Sequence, residues 1–295
     1  MSDQQAAEPS LPDALVSTGW LAARLGAPDV RVVDASFKMP GVTPTAEADY
    51  RRQHIPGAVF FDIDDIADSA STLPHMLPAP EKFASRMRKL SLGDGNRIIL
   101  YDANGVAGAA RAWWMLRVFG HHDVSVLDGG LRKWLVEGRP VDDLPPMPRE
   151  RHFTARLNTL MVRDKDQVLA DIASRREQIL DARASSRFIG EAAEPWPGRL
   201  PGHIPGSRNL DHASLIDTAT GTFKPVDALA GLFAAAGVDP NRPVVTSCGS
   251  GITACVLALG LHLIGRRDIA VYDGSWAEWG LPENRLPIET GPVRD

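Results

Sequence analysis

The chain has almost no cysteine: two residues, Cys248 and Cys255, among 295. That number rules out a disulfide framework and a four-cysteine zinc site. It suits a reducing compartment, and a cytoplasmic location is the expectation. Long apolar runs are missing too. The longest, Ile252 to Ile264, is interrupted by His262 and is too short to cross a bilayer, so it reads as a buried helix. The first residues, Met1 to Pro9, are polar and acidic. They lack the basic and apolar regions of a secretory signal, and none is expected. Charge of one sign is also scarce. A net charge of −5 gives no footprint for nucleic acid or an anionic membrane, and neither partner is expected. No spacing of His, Cys or carboxylates supports a metal site, and no cofactor is implied. What remains is an ordinary globular balance, 44% hydrophobic and 23% charged, long enough for two well-filled domains.

The order of segments repeats at about half the chain. Val32-Val33-Asp34-Ala35, His54-Ile55-Pro56-Gly57, Ile98-Ile99-Leu100-Tyr101-Asp102, Val126-Leu127-Asp128-Gly129-Gly130 and Trp134 come first. Ile179-Leu180-Asp181-Ala182, His203-Ile204-Pro205-Gly206, Val244-Val245-Thr246-Ser247, Val271-Tyr272-Asp273-Gly274-Ser275 and Trp279 follow in the same order. A repeat this long implies a duplicated domain. Each half alternates short β-branched strands with helical patterns such as Phe83 to Leu90, Ala112 to Arg117 and Ala228 to Phe233. That alternation predicts an α/β fold, each half a mainly parallel sheet flanked by helices. The proline-rich stretch from Leu144 to Glu150 starts a linker. The expected division is a first domain over 11–143, a linker over 144–164 and a second domain over 165–290. His54 and His203, each in a His-Ile-Pro-Gly segment, read as structural turns because they repeat.

One cysteine is delivered by an apolar strand pattern to a glycine-rich turn: Val244-Val245-Thr246-Ser247-Cys248-Gly249-Ser250-Gly251-Ile252-Thr253. A helical pattern starts straight after it. The thiolate is the nucleophilic form of cysteine, and N–H groups at a helix N-terminus favour an anion there. Gly249 and Gly251 can adopt positive φ and let the backbone close around a central sulfur. Ser250 and Thr253 supply hydroxyls, and Thr253 is a candidate cap for the helix. Overlaying the halves puts Ala103 on the Cys248 position, so the first half is expected to be catalytically silent. Cys255 reads as a small core residue, with a resolving-thiol role as the alternative.

Cys248-Gly249-Ser250-Gly251-Ile252-Thr253 resembles the active-site loop of the two-domain sulfurtransferases of the rhodanese superfamily, in the form found in 3-mercaptopyruvate sulfurtransferases. Tyr272-Asp273-Gly274-Ser275-Trp276-Ala277-Glu278-Trp279 resembles the family's carboxy-terminal motif. The resemblance runs from about Val16 to Leu286. It implies two tandem rhodanese-like domains and sulfur transfer from 3-mercaptopyruvate to a thiol, thioredoxin or cyanide through a Cys248 persulfide. Arg187-Phe188-x-Gly190 resembles the motif whose arginine holds the anionic donor, a task suited to a planar guanidinium. A second arginine is expected in a Pro-Glu-Pro-Arg type context. Here Trp196 stands in its place, in Glu194-Pro195-Trp196-Pro197-Gly198-Arg199, and Arg199 is the substitute in sequence. Phe60-Phe61-Asp62-Ile63-Asp64 and Pro74-His75-Met76-Leu77-Pro78 resemble segments that face the site. They imply a relay of Asp64, His75 and Ser250 that follows the logic of hydrolase triads. Gly249, Gly251, Ile252 and Thr253 then bind the donor's sulfur through their backbone.

The alternatives differ in class. A thiosulfate sulfurtransferase would use the same persulfide. Its loop typically carries charged residues directly after the cysteine, which are absent here. A cysteine phosphatase needs an arginine where this chain has Ala254. A non-catalytic persulfide carrier or redox sensor needs only the cysteine.

Overall fold

The computed structural model describes residues 14–147 and 149–292. The amino-terminal segment, residues 11–13 of the expected first domain and Pro148 of the expected linker lie outside the described residues. Two five-stranded sheets follow one another along the chain. The first contains β1 (Leu15–Val16), β2 (Val30–Asp34), β3 (Val59–Phe60), β4 (Arg97–Tyr101) and β5 (Val124–Leu127), in the order β1-β5-β4-β2-β3. The second contains β6 (Val162–Arg163), β7 (Gln178–Asp181), β8 (Arg208–Asn209), β9 (Val244–Ser247) and β10 (Ile269–Tyr272), in the order β6-β10-β9-β7-β8. Every pairing is parallel. The two orders are the same once the numbering is shifted by five, as a duplicated α/β unit requires.

The central strands are buried along almost their whole length. All four residues of β9 are buried, and only Arg97 of β4 is partly exposed. Continuous β-branched and apolar runs are what a parallel sheet covered on both faces demands. Each central strand leads into a loop and then a long apolar helix, Ala107–Val118 in the first half and Ala254–Leu263 in the second. These helices pack against each other. Ala109, Ala112, Ala254 and Ala258 share one buried cluster that runs through both halves. The packing sets the two equivalent loops on either side of the interface. Loops at the carboxyl ends of parallel strands are where α/β folds place their sites.

His54 and His203 have equivalent structural positions. Their Nδ1 atoms lie 2.7 Å from Tyr50 O and 2.9 Å from Phe188 O. Their main chains bridge to Asp142 and Glu289.

Three local expectations change. β6 falls within the segment expected as a linker and pairs with β10, so the second sheet begins at Val162. Phe153 of the same segment is buried in the core, and the Arg156 N–H donates to Phe119 O. The proline-rich composition marks where the chain leaves the first sheet but not where packing resumes. Thr253 sits at the helix start in αR conformation, and its side chain makes no cap hydrogen bond. Of the two loop glycines only Gly251 has positive φ, at 79°.

Candidate active site

β9 delivers Cys248 to the centre of the site, and the cysteine is 1% exposed. The loop from Gly249 to Thr253 curls back before the helix Ala254–Leu263 begins. Among the described residues, none of the five N–H groups from Gly249 to Thr253 donates to a protein acceptor. Buried backbone donors normally find partners. A ring of unclaimed N–H groups at a helix start is a cradle for an anion. The Cys248 N–H is not part of it, since it donates to Ser275 Oγ at 3.1 Å. Ser275 adopts φ 49° and passes its own proton to Tyr272 O at 2.8 Å.

The equivalent loop of the first half has three of its donors occupied, two of them by its own carboxylate. The Asp102 carboxylate accepts from Asn104 N at 2.7 Å and from Gly108 N at 2.8 Å. Ala103 N, on the Cys248 position, donates to Ser36 Oγ at 2.8 Å. Burial pushes the Asp102 carboxyl up to about 7, against the backbone N–H groups that favour its charge. The corresponding residue of the second half is Ser247, which is neutral.

The first half reaches into the second. His75 is 4% exposed, and its Nδ1 lies 3.1 Å from Ser250 Oγ and 3.3 Å from Ser250 O. Its Nε2 lies 3.3 Å from Asp64 Oδ1. Asp64 stands in the first turn of the short helix Ile63–Ile66, which Asp62 caps through the N–H groups of Asp64 and Asp65. The three residues expected to form a relay are therefore assembled in one line. His75 takes φ 60°, an unusual conformation for a non-glycine residue. Phe37 and Trp196 meet its ring edge-on, with centroids 5.0 and 5.7 Å away. A hollow of about 240 Å³, lined in part by Phe37, Lys38 and Asp64, opens beside it. The larger hollow around Gln178 and Arg242, about 670 Å³, contains none of this cluster.

Arg111 holds the two halves in this register. Its guanidinium is fully buried and pairs with Asp273 at 2.8 Å. It also donates to Gly251 O at 3.2 Å and to His75 O at 2.5 Å. Asp273 in turn accepts from Leu77 N at 2.7 Å. Burial pulls the Arg111 pKa down, but Asp273 and Cys255 beside it together reverse that, and the net direction is up. Gly251 is required here. A Cβ at that position would lie 2.8 Å from Asp273 O, in a backbone conformation that L side chains rarely adopt.

Arg187, in the short helix Ser185–Phe188, closes the other side. Its Nη2 lies 2.8 Å from where a Cβ on Gly249 would stand, so glycine there makes room for the guanidinium. Nη2 pairs with Glu194, which also accepts from Arg183 Nη1 at 2.7 Å. Arg199 is placed differently. Its Nε donates to Ala277 O at 3.0 Å and its Nη1 to Pro197 O at 2.7 Å. Two of its donors are thus committed to main chain behind the loop.

This geometry is matched by known proteins. A family model described as the rhodanese-like domain covers residues 17–137 and 164–281. The chain belongs to the rhodanese family. It is 41% identical to a human 3-mercaptopyruvate sulfurtransferase over 92% of this chain and 94% of that protein. It is 42% identical to a bovine thiosulfate sulfurtransferase, over 94% of each. The crystal structure of SseA from Escherichia coli, a 3-mercaptopyruvate sulfotransferase, superposes with a TM-score of 0.82 at 38% identity. That match covers 90% of this chain and all of the other. As in any rhodanese, the fold alone does not fix the donor. Both donor types occur among relatives of similar identity. The site residues must separate them.

Sequence reasoning missed Arg111, Asp273, Ser275 and Glu194. Arg111 left a signal: a lone cation within Ala107-Gly108-Ala109-Ala110-Arg111-Ala112-Trp113-Trp114. A charged residue in a helix apolar on all sides needs a buried partner.

Proposed function

We propose that the protein is a 3-mercaptopyruvate sulfurtransferase working through a Cys248 persulfide. The observation that carries this reading is the uncharged loop of five unclaimed N–H groups, with the Asp64–His75–Ser250 line against it. Cys248 as thiolate attacks the donor sulfur while Arg187 holds the donor carboxylate. The C–S bond breaks, and its electron pair goes to carbon as the enolate of pyruvate. The donor's thiol proton moves through Ser250 and His75 to that carbon, releasing pyruvate. Cys248 is left as the anionic persulfide. The backbone of Gly249, Ser250, Gly251, Ile252 and Thr253 stabilises its outer sulfur. A thiol, thioredoxin or cyanide then takes that sulfur, and the thiolate returns.

In this reading the first domain, 11–143, carries no nucleophile but supplies Asp64 and His75. The second domain, 165–290, supplies the nucleophile, and 144–164 joins them. Arg199 serves the donor only by exchanging a main-chain bond for the carboxylate. No helix among the described residues is long and apolar enough to cross a membrane. A reducing compartment such as the cytoplasm suits a free Cys248.

Trp196, beside His75 where a second arginine was expected, keeps thiosulfate as a second reading. The deciding experiment measures kcat/KM for 3-mercaptopyruvate and thiosulfate with one common acceptor. A higher value for mercaptopyruvate supports the assignment, and a higher value for thiosulfate overturns it.

A further inference from the structure

Another hollow lies at the far end of the two packed helices. Cys248 precedes the first turn of the helix Ala254–Leu263, whereas Ala258 and His262 lie in its middle and last turn. Trp113, Trp114 and Arg117 occupy the last turns of the helix Ala107–Val118. Together with Met161 and Arg267 they line a cavity of about 460 Å³ between the halves. That volume is within the range of small-molecule sites, which favour domain interfaces.

The charges in this cavity do not balance. Three charged side chains of its lining, Arg163, Glu177 and Asp268, are already matched. Arg163 holds Glu177 at 2.6 Å, and Asp268 is held by Arg266 at 2.8 Å. Arg117 and Arg267 have no carboxylate partner among the described residues. Arg267 donates to the main-chain oxygens of His262 and Arg266. The Arg117 guanidinium lies over the Trp113 ring, 5.1 Å from its centroid. Burial lowers the Arg117 pKa first, and the nearby Arg267 lowers it further. Arg117, partly buried beside an apolar wall with a like charge near it, gains from an anion that joins it to Arg267. The wall itself is Trp113, Trp114, Met161 and Ala258.

We propose that this interdomain cavity is a binding site for a small amphipathic carboxylate. Its carboxylate bridges Arg117 and Arg267, and its apolar body lies against the tryptophans and Met161. The site is separate from the Cys248 loop and shares no residue with it.

The test is calorimetric titration of the full chain with 3-phenylpropionate, repeated on Arg267→Ser and Arg117→Met. Arg267 is exposed, so its variant folds even if Arg117→Met does not. One saturable site is expected, weakened about tenfold or more in each folded variant, as loss of a charge-assisted hydrogen bond predicts. The variants should keep the wild-type kcat/KM for mercaptopyruvate. Absence of saturable binding at millimolar ligand overturns the proposal. So does equal binding by wild type and variants, which would place the ligand elsewhere, such as at Arg187. Acetate binding as tightly as 3-phenylpropionate would remove the apolar wall from the site and refute the ligand class.

Discussion

Replacing Arg111 with methionine gives the sharpest test of how the two halves make one site. Methionine fills much of the volume but removes the ion pair with Asp273 and the bonds to Gly251 O and His75 O. Asp273 is then left 3% exposed, with only Leu77 N as its remaining donor. Removing one partner of a buried pair costs about 3–5 kcal/mol, because the other charge stays buried without compensation. A domain's whole stability is about 5–15 kcal/mol, so the loss should be plain in a urea titration. Adding Asp273→Asn removes the stranded charge and leaves an oxygen for Leu77 N. The double variant should therefore recover part of the loss, with a coupling of about 1–3 kcal/mol. Sulfur transfer should stay low in both, since neither restores the hold on His75 and Gly251. If Arg111→Met unfolds within about 1 kcal/mol of wild type, or if the double variant gains nothing back, the account of Arg111 as the clamp is wrong.

Three further outcomes follow from the geometry. His75→Asn should slow pyruvate release from mercaptopyruvate by about 10²–10⁴-fold, the usual worth of a positioned proton-transfer group. Transfer from thiosulfate needs no carbon protonated and should change far less. A coupled pyruvate assay beside a thiocyanate assay separates the two, and equal losses would remove His75 from the proton path. Cys255 is fully buried, its thiol is pushed up to about 12, first by burial, and its Sγ donates to Gly251 O at 3.2 Å. Iodoacetamide at neutral pH should therefore leave Cys255 unmodified in the folded protein, as read by peptide mass spectrometry. Modification of Cys255 in the folded protein would contradict the structure. Asp102 titrates at about 7 when folded, against an ordinary 3.8. The folded chain thus holds a proton that the unfolded chain has lost. This contribution to stability is complete below pH 3.8 and is lost as the pH rises to about 7, with an upper bound of ~4 kcal/mol. Asp102→Asn should flatten the curve of stability against pH over that window. An unchanged slope would show that Asp102 is not the group responsible.

Much of the fold was legible because its signals are local. Val244 to Ser247 reads as a strand and is β9, since a parallel central strand needs four apolar or small residues in a row. The duplicated order of segments gave the shared strand order of both sheets. Cys248 and its loop were legible for the same reason. His75 and Asp64, some 175 residues or more away in sequence, came only from family resemblance. Nothing in their own spacing points to Ser250. Gly249 looked like a conformational glycine and proved to be a steric one, because Arg187 approaches from another element. Thr253 looked like a cap, but its side chain caps nothing in the fold. Arg111 shows the limit most clearly, since its partners are main-chain oxygens of both halves and a carboxylate of the second.

The contrast between Asp102 and Ser247 bears on which state of the protein is at rest. Both halves inherit the same curled loop, and such a loop asks for negative charge at its centre. The first half answers in part with its own carboxyl group, which takes the N–H groups of Asn104 and Gly108. The second half has Ser247 there instead, and under the mechanism proposed above its loop N–H groups gain an acceptor when Cys248 carries the outer sulfur. By this logic the sulfur-loaded protein is the relaxed form and the bare thiol the frustrated one. The transferred atom then serves as a missing piece of the scaffold, and handing it on to an acceptor means giving up structure as well as cargo.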